Sequence, residues 1–242
     1  MVLLSIFAIT LVAAVVVTIV LGIRAAALRA GHPRAVSARM AGKGMAMLVA
    51  WLGASAALAL TGALGDFEAR PPRLLLAVAA SATFLVLTSR TTTFRALLAA
   101  TPASWPVALM TMRVPIELGL YGLYVEGRLP VHLTFEGRNF DVLVGATAPF
   151  VAWALGRGLL GRRGLLAWNV VSLGLLANVV GMAITSVPGP LHLAWPGVPN
   201  TVVATFPWVW LPTFLVPVAL FGHVSSLRQL LGGEVSSSRA PA

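Results

Sequence analysis

Arg113 and Glu117 stand four positions apart within residues 107–124, a stretch otherwise made of apolar and small side chains. On a helix, positions i and i+4 share a face, so the guanidinium and the carboxylate can pair within their own helix. Charge at bilayer depth is expensive unless it faces protein or water, which makes such a pair a pointer to a functional place. The chemistry on offer is simple: Arg113 can anchor an anionic or lipid-like ligand, and Glu117 can balance charge or carry a proton. Pro115 lies between them and has no N–H for the carbonyl of Thr111, so a freed acceptor and a kink favour a polar pocket there. Counted from Pro106 at 1.5 Å per residue, Arg113 lies roughly 10 Å and Glu117 roughly 16 Å along the helix, close to a bilayer midplane. The alternative is a structural ion pair that locks two helices, with little net stabilisation because desolvating both ions offsets their attraction.

Other polar side chains stand ready to join that pair. Asn169 and Asn178 belong to one later apolar run and His223 to the last, and together they can complete a polar core that orients Arg113 and Glu117. Taken singly, each asparagine reads as a hydrogen bond between helices and His223 as a satisfied structural histidine. The run Glu136-Gly137-Arg138-Asn139-Phe140-Asp141 marks the start of another helix, with Asn139 suited to cap it and Asp141 favoured in its first turn by the helix dipole. With Glu126, Arg128 and His132 nearby, the same run can instead form an outer polar vestibule in which Asp141 faces a ligand. Pro207, Pro212 and Pro217 imply a bent or partly unwound last helix. Trp195, Trp208 and Trp210 read as an interfacial aromatic belt.

Several sharper chemistries are excluded by residue type. The only lysine, Lys43, sits among basic residues outside the apolar runs, so retinal bound as a Schiff base has no anchor. His32, His132, His192 and His223 are far apart and lack zinc-ligand spacing, and no cysteine exists to supply a thiolate. Neither a glycine-rich nucleotide loop nor a nucleophile elbow is present. No metal and no cofactor are therefore expected. A lipid-modifying enzyme would lack a nucleophile and a second matched carboxylate, and ranks behind a ligand-binding or transport protein and a non-catalytic scaffold or sensor subunit.

The elements that must position these residues follow from hydropathy. A mean hydropathy of +0.91 and a charged fraction of 10% are far from a soluble globule, in which charged residues make up about 25%. The expectation is an all-α polytopic transmembrane bundle, a single domain over 1–231 with a disordered cytoplasmic tail at 232–242. About seven spans are expected, near 2–28, 45–65, 72–90, 105–125, 140–160, 165–187 and 203–226. The apolar runs are continuous, which excludes the alternation of a membrane barrel. The first run is too long, and lacks the basic start, for a signal peptide, so it is expected to remain as a helix. Residues 91–104 are amphipathic and too short to cross, and are expected to lie along the inner surface.

Basic residues give the orientation. With the N-terminus outside, Arg24, Arg29, Arg34, Arg39, Lys43, Arg90, Arg95, Arg157, Arg162, Arg163, Arg228 and Arg239 fall on the cytoplasmic side, and only Arg70, Arg73, Arg128 and Arg138 outside. The net charge of +10 is thus spread over span ends and not gathered in one stripe, which argues for lipid headgroups and against nucleic acid as the partner. A second copy of the chain or another membrane protein stays open as a further partner.

Arg113-Val114-Pro115-Ile116-Glu117, Thr134-Phe135 with the following Glu136–Asp141 run, Trp168-Asn169, and 209–223 followed by Ser226-Leu227-Arg228 resemble an uncharacterised family of small bacterial multi-pass membrane proteins. The resemblance covers about 113–231. It implies a bacterial inner-membrane protein and carries no activity with it.

Overall fold

In the computed structural model, which describes residues 1–232, the apolar runs form helices and no strand occurs among the described residues. Hydrocarbon offers no partner for backbone N–H and C=O groups, so a continuous apolar run satisfies them within itself as a helix. Nine α-helices follow one another among the described residues: α1 (Val2–Arg29), α2 (Arg34–Leu60), α3 (Arg73–Arg90), α4 (Thr92–Ala99), α5 (Ser104–Leu109), α6 (Arg113–Val125), α7 (Asp141–Gly156), α8 (Arg162–Thr185) and α9 (Val216–Leu231). Five stretches are long and apolar enough to cross a membrane: α1, α2, α3, α8 and Leu211–Leu231, while α7 is a shorter apolar helix. Their outward faces are apolar, with Leu21, Leu87, Phe150 and Val171 among the exposed side chains.

Leu211–Leu231 is the central element: 61% of its apolar window is buried, against 22% for α1 and α2. Its first part, Leu211–Leu215, is a π-helical turn. The prolines explain how this turn is used. Pro217 has no N–H for the carbonyl of Thr213, and that carbonyl instead accepts from Trp51 Nε1 of α2 at 2.9 Å and Ser81 Oγ of α3 at 2.8 Å. A backbone defect on the central helix thereby becomes the point at which two outer helices are tied to it.

The run expected as a single span over 105–125 is interrupted. α5 ends at Leu109, Met110–Met112 form a 3-10 turn, and α6 restarts at Arg113. Pro115 cannot bond to Thr111, and the chain tightens in the turn before it, presenting Arg113 at the first position of α6. α6 lies against α7 at very close range: a Cβ on Gly145 would stand 2.7 Å from Val114 N and 3.1 Å from Arg113 Cβ.

Other boundaries shift. α2 begins at Arg34, well before the expected 45, because its small and polar first turns still favour helix. The last span begins at Leu211 in place of 203, since Val202–Ala204 close into a 3-10 turn and Pro207 precedes any regular helix. The amphipathic segment after α3 forms α4, capped by Thr91 Oγ1 accepting from Phe94 N at 3.1 Å. Of the expected tail, Gly232 caps α9 and 233–242 lie outside the described residues.

Candidate functional site

Arg113 and Glu117 are both buried, at 1% and 2% exposure, but they do not pair with each other. Arg113 Nη1 donates to Asp141 Oδ1 of α7 at 2.8 Å, an ion pair between helices. Its Nη2 lies 3.2 Å from His223 Nε2 of α9. Glu117 Oε2 instead accepts from Asn139 Nδ2 at 2.7 Å. The i, i+4 spacing placed both charges on one face, and α7 arrives on that face close enough to capture them, because Gly145 has no side chain to hold it off.

The network fixes its own proton positions. Arginine only donates, so His223 Nε2 must accept and the ring is the neutral tautomer with its proton on Nδ1. That proton goes to Asn169 Oδ1 of α8 at 2.8 Å. Asn169 Nδ2 in turn donates to Leu165 O and to Ser226 Oγ, each at 2.9 Å. At the other end, Asn139 Oδ1 accepts from Asp141 N at 3.0 Å, and its Nδ2 also reaches Leu133 O at 3.1 Å. Asn139 is not the cap its residue type suggested: Phe140 is the N-cap of α7, and Asn139, one residue earlier, accepts from Asp141 N and so joins Glu117 to Asp141. Glu117, Asn139, Asp141, Arg113, His223, Asn169 and Ser226 form one connected chain across α6, α7, α8 and α9.

Five of the six site residues expected from sequence meet here: Arg113, Glu117, Asp141, Asn169 and His223. Asn178 does not. It is exposed, one face of α8 away from the cluster, and its Nδ2 donates to Arg138 O at 2.9 Å. Asn139 and Ser226 are the members that sequence reasoning left outside the site; Asn139 carried a signal as a cap, and Ser226 only as part of the run Ser226-Leu227-Arg228.

Above the cluster lies a cavity of about 120 Å³, with Arg113, Glu117 and Asp141 among its lining residues and an otherwise mostly apolar wall drawn from α3, α8 and Leu211–Ala219. α3 and α8 make no substantial contact with each other, each packing on α9 or the π turn beside it. Leu75 and Val78 of α3 face Val180 and Ala183 of α8 across the cavity, and all four are half-exposed. Three polar atoms at the cluster have no hydrogen bond among the described residues: Arg113 Nε, Glu117 Oε1 and Asp141 Oδ2. Farther out, Asn200 lines the same cavity with its buried Oδ1 unpartnered.

The vestibule expected around His132 is closed. His132 is buried, its Nε2 lies 2.7 Å from Ser186 Oγ, and its ring stacks on Trp195 at 4.4 Å. Trp208 is likewise buried, its ring end over Gly119, and Trp210 Nε1 donates to Leu52 O at 3.0 Å. Trp208 thus packs inside the protein, while Trp195 and Trp210 stay partly exposed. Ser186 gives its hydroxyl proton to Met182 O at 2.6 Å, so His132 Nε2–H donates to Ser186 and the buried Nδ1 is an acceptor with no partner. Burial, with Arg138 adding in the same direction, holds the His132 pKa below its ordinary 6.5. The unfolded chain then binds this proton more tightly, so the stability from neutral His132 is complete above about pH 6.5 and is lost as pH falls below it. The melting midpoint is expected to drop as pH falls below about 6.5, and His132→Phe to flatten that part of the profile.

Fold and site define an all-helical protein with helices fit to cross a membrane and a charged cluster enclosed among them. Residues 71–231 match the family described as a domain of unknown function, DUF8737, and the chain belongs to that family. The matched region contains every member of the cluster. No curated protein and no solved structure matches the chain.

Proposed function

We propose that this is a multi-pass protein of the bacterial inner membrane that binds, and through that site moves, a small lipid-like molecule in the cavity above Arg113. On this reading α1, α2, α3, α5–α6, α7, α8 and Leu211–Leu231 are seven crossings, with the N-terminus outside and the basic span ends in the cytoplasm. One observation carries the proposal: a mostly apolar cavity is lined by Arg113, Glu117 and Asp141, and the buried Nε of Arg113 has no partner among the described residues. An unpaired buried polar atom costs about 1–3 kcal/mol, and a ligand in the cavity that accepts from Arg113 Nε would offset that cost.

The pairing also narrows the ligand. Asp141 already matches the charge of Arg113, which removes the guanidinium as an anchor for a second anion. What remains on Arg113 is Nε–H and one further N–H on each of Nη1 and Nη2, beside carboxylate oxygens of Glu117 and Asp141. A neutral group that both accepts and donates, such as a hydroxyl, fits that set. The apolar wall suits a hydrocarbon body, and the cleft between α3 and α8 offers a route from the bilayer.

Native mass spectrometry of the gently purified protein tests this. A copurifying molecule is expected on the wild type and is expected to be lost in both Glu117→Gln and Ala183→Phe, the second of which fills the cavity without touching the charges. Equal ligand occupancy in all three forms would refute the site. In proteoliposomes, Glu117→Gln is expected to abolish pH-coupled flux of that molecule.

A second reading, a non-catalytic scaffold or sensor subunit, is favoured by the way the network joins four helices. It requires that no bound molecule protects the protein against heating, and that Arg113→Ala with Glu117→Ala releases a copurifying partner.

A further inference from the structure

A separate cavity of about 470 Å³ lies at the basic end of the bundle, lined by Ser89, Arg90, Arg95, Leu98, Arg228 and Gln229. Three elements converge to build it. α3 ends at Arg90 and Thr91 starts α4 at once, so the chain turns across the end of the bundle without a loop. Phe94 of α4 packs on Phe221 of α9, the ring centroids 4.9 Å apart. The last turn of α9 then locks all three: Arg228 Nη1 donates to Ser89 O at 2.5 Å, and Gln229 Nε2 donates to Leu98 O and Thr101 O at 3.0 and 2.6 Å.

The result concentrates like charge. Arg228 is held in place by Ser89, while Arg90 and Arg95 are exposed, and no carboxylate of the described residues lines the cavity. Guanidinium groups gathered around one opening repel one another, and an anion with several oxygens relieves that repulsion through charge-assisted hydrogen bonds. A second observation points the same way. Gln229 is 2% exposed, both of its amide protons are used, and its buried Oε1 has no partner among the described residues. Such an acceptor, set among three donors, suits a ligand that carries a hydroxyl or ammonium hydrogen beside its negative charge.

We propose that this pocket binds the glycerophosphate headgroup of an anionic phospholipid, the phosphate facing Arg90, Arg95 and Arg228 and a headgroup hydroxyl donating to Gln229. The lipid source is favoured over free phosphate by what lies alongside. Phe84, Val86 and Leu87 of α3, just before Arg90, are exposed apolar side chains along which acyl chains can lie. Basic pockets between helices at a membrane surface are suited to such headgroups.

The test uses the full chain in detergent, read by native mass spectrometry and by thermal shift. Phosphatidylglycerol is expected to be retained and to raise the melting midpoint, with phosphatidylcholine retained about tenfold less, because it keeps the phosphate but lacks a hydroxyl for Gln229 and sets a quaternary ammonium among the guanidiniums. Arg90→Gln with Arg95→Gln removes two exposed charges without breaking the Arg228–Ser89 lock and is expected to erase that preference. Arg162→Gln with Arg163→Gln removes the same charge from the first turn of α8, expected at the same end, and is expected to leave it intact. An equal loss in both double variants would reduce the effect to general surface attraction and overturn the site. So would equal retention of the two lipids by the wild type. Inorganic phosphate or glycerol 3-phosphate protecting as well as the lipid does, with the same dependence on Arg90 and Arg95, would overturn the lipid as source.

Discussion

Arg113→Ala is expected to lower stability by about 3–5 kcal/mol, because it leaves the Asp141 carboxylate buried with no counter-charge. In the same step His223 Nε2 loses its donor, and the proton order along Asn169 and Ser226 loses its reason. The comparison that isolates the cause is Arg113→Met with Asp141→Leu. Removing both charges and restoring apolar volume is expected to recover more than half of the loss, since a buried ion pair replaced by packed apolar groups is often neutral. Denaturation in mixed micelles would measure both. A double variant as weak as Arg113→Ala would mean that the pair itself, and not the stranded charge, supplies the stability.

The second large effect comes from a residue with no polar atom in its side chain. Gly145→Val is expected to destabilise by about 3 kcal/mol or more, at the upper end for overpacking, because the new side chain meets backbone. Its Cβ would stand 2.7 Å from Val114 N, a contact that no rotamer change relieves. α6 and α7 would have to separate, stretching both Arg113–Asp141 and Asn139–Glu117, so loss of any molecule held at Glu117 is expected together with loss of stability. Gly174→Ala on α8, where nothing lies within 4 Å of the new Cβ, serves as the control and is expected to stay within about 0.5 kcal/mol of the wild type. Thermal melts of the two variants separate a specific close approach from a general intolerance of helical glycines.

How far the site could be read beforehand depended on the kind of signal each residue gave. Arg113 and Glu117 were visible because charge in an apolar run has few explanations, and Asp141 as an acid at the start of a helix. Asn169 and His223 were visible as polar residues inside later apolar runs. Their pairing was not visible. Spacing alone favours Glu117 as the partner of Arg113, since local geometry is all that one helix can supply. Asn178 has the same residue type as Asn169 and a similar setting in sequence, yet it is exposed while Asn169 is buried. Nine positions amount to two and a half turns, about 180°, so two residues of one helix face opposite sides. Which of them faces inward is decided by where α9 and α7 pack. Trp208 misled for a related reason: an aromatic near a span end is ordinarily interfacial, and only the tertiary structure carries Trp208 inside.

The amino-acid order by itself determined that the chain is helical and apolar on its outside, because continuous hydrophobic runs leave the backbone no other partner than itself. It also determined where that backbone is weak, since a missing N–H at Pro115 or Pro217 is a property of one residue. Tertiary structure alone decided who answers those weak points and charges: Trp51 and Ser81 for the Thr213 carbonyl, Asp141 for Arg113, Asn139 for Glu117. Each of these bonds joins residues far apart along the chain, and their meeting depends on the close approach of whole helices, which no local pattern encodes.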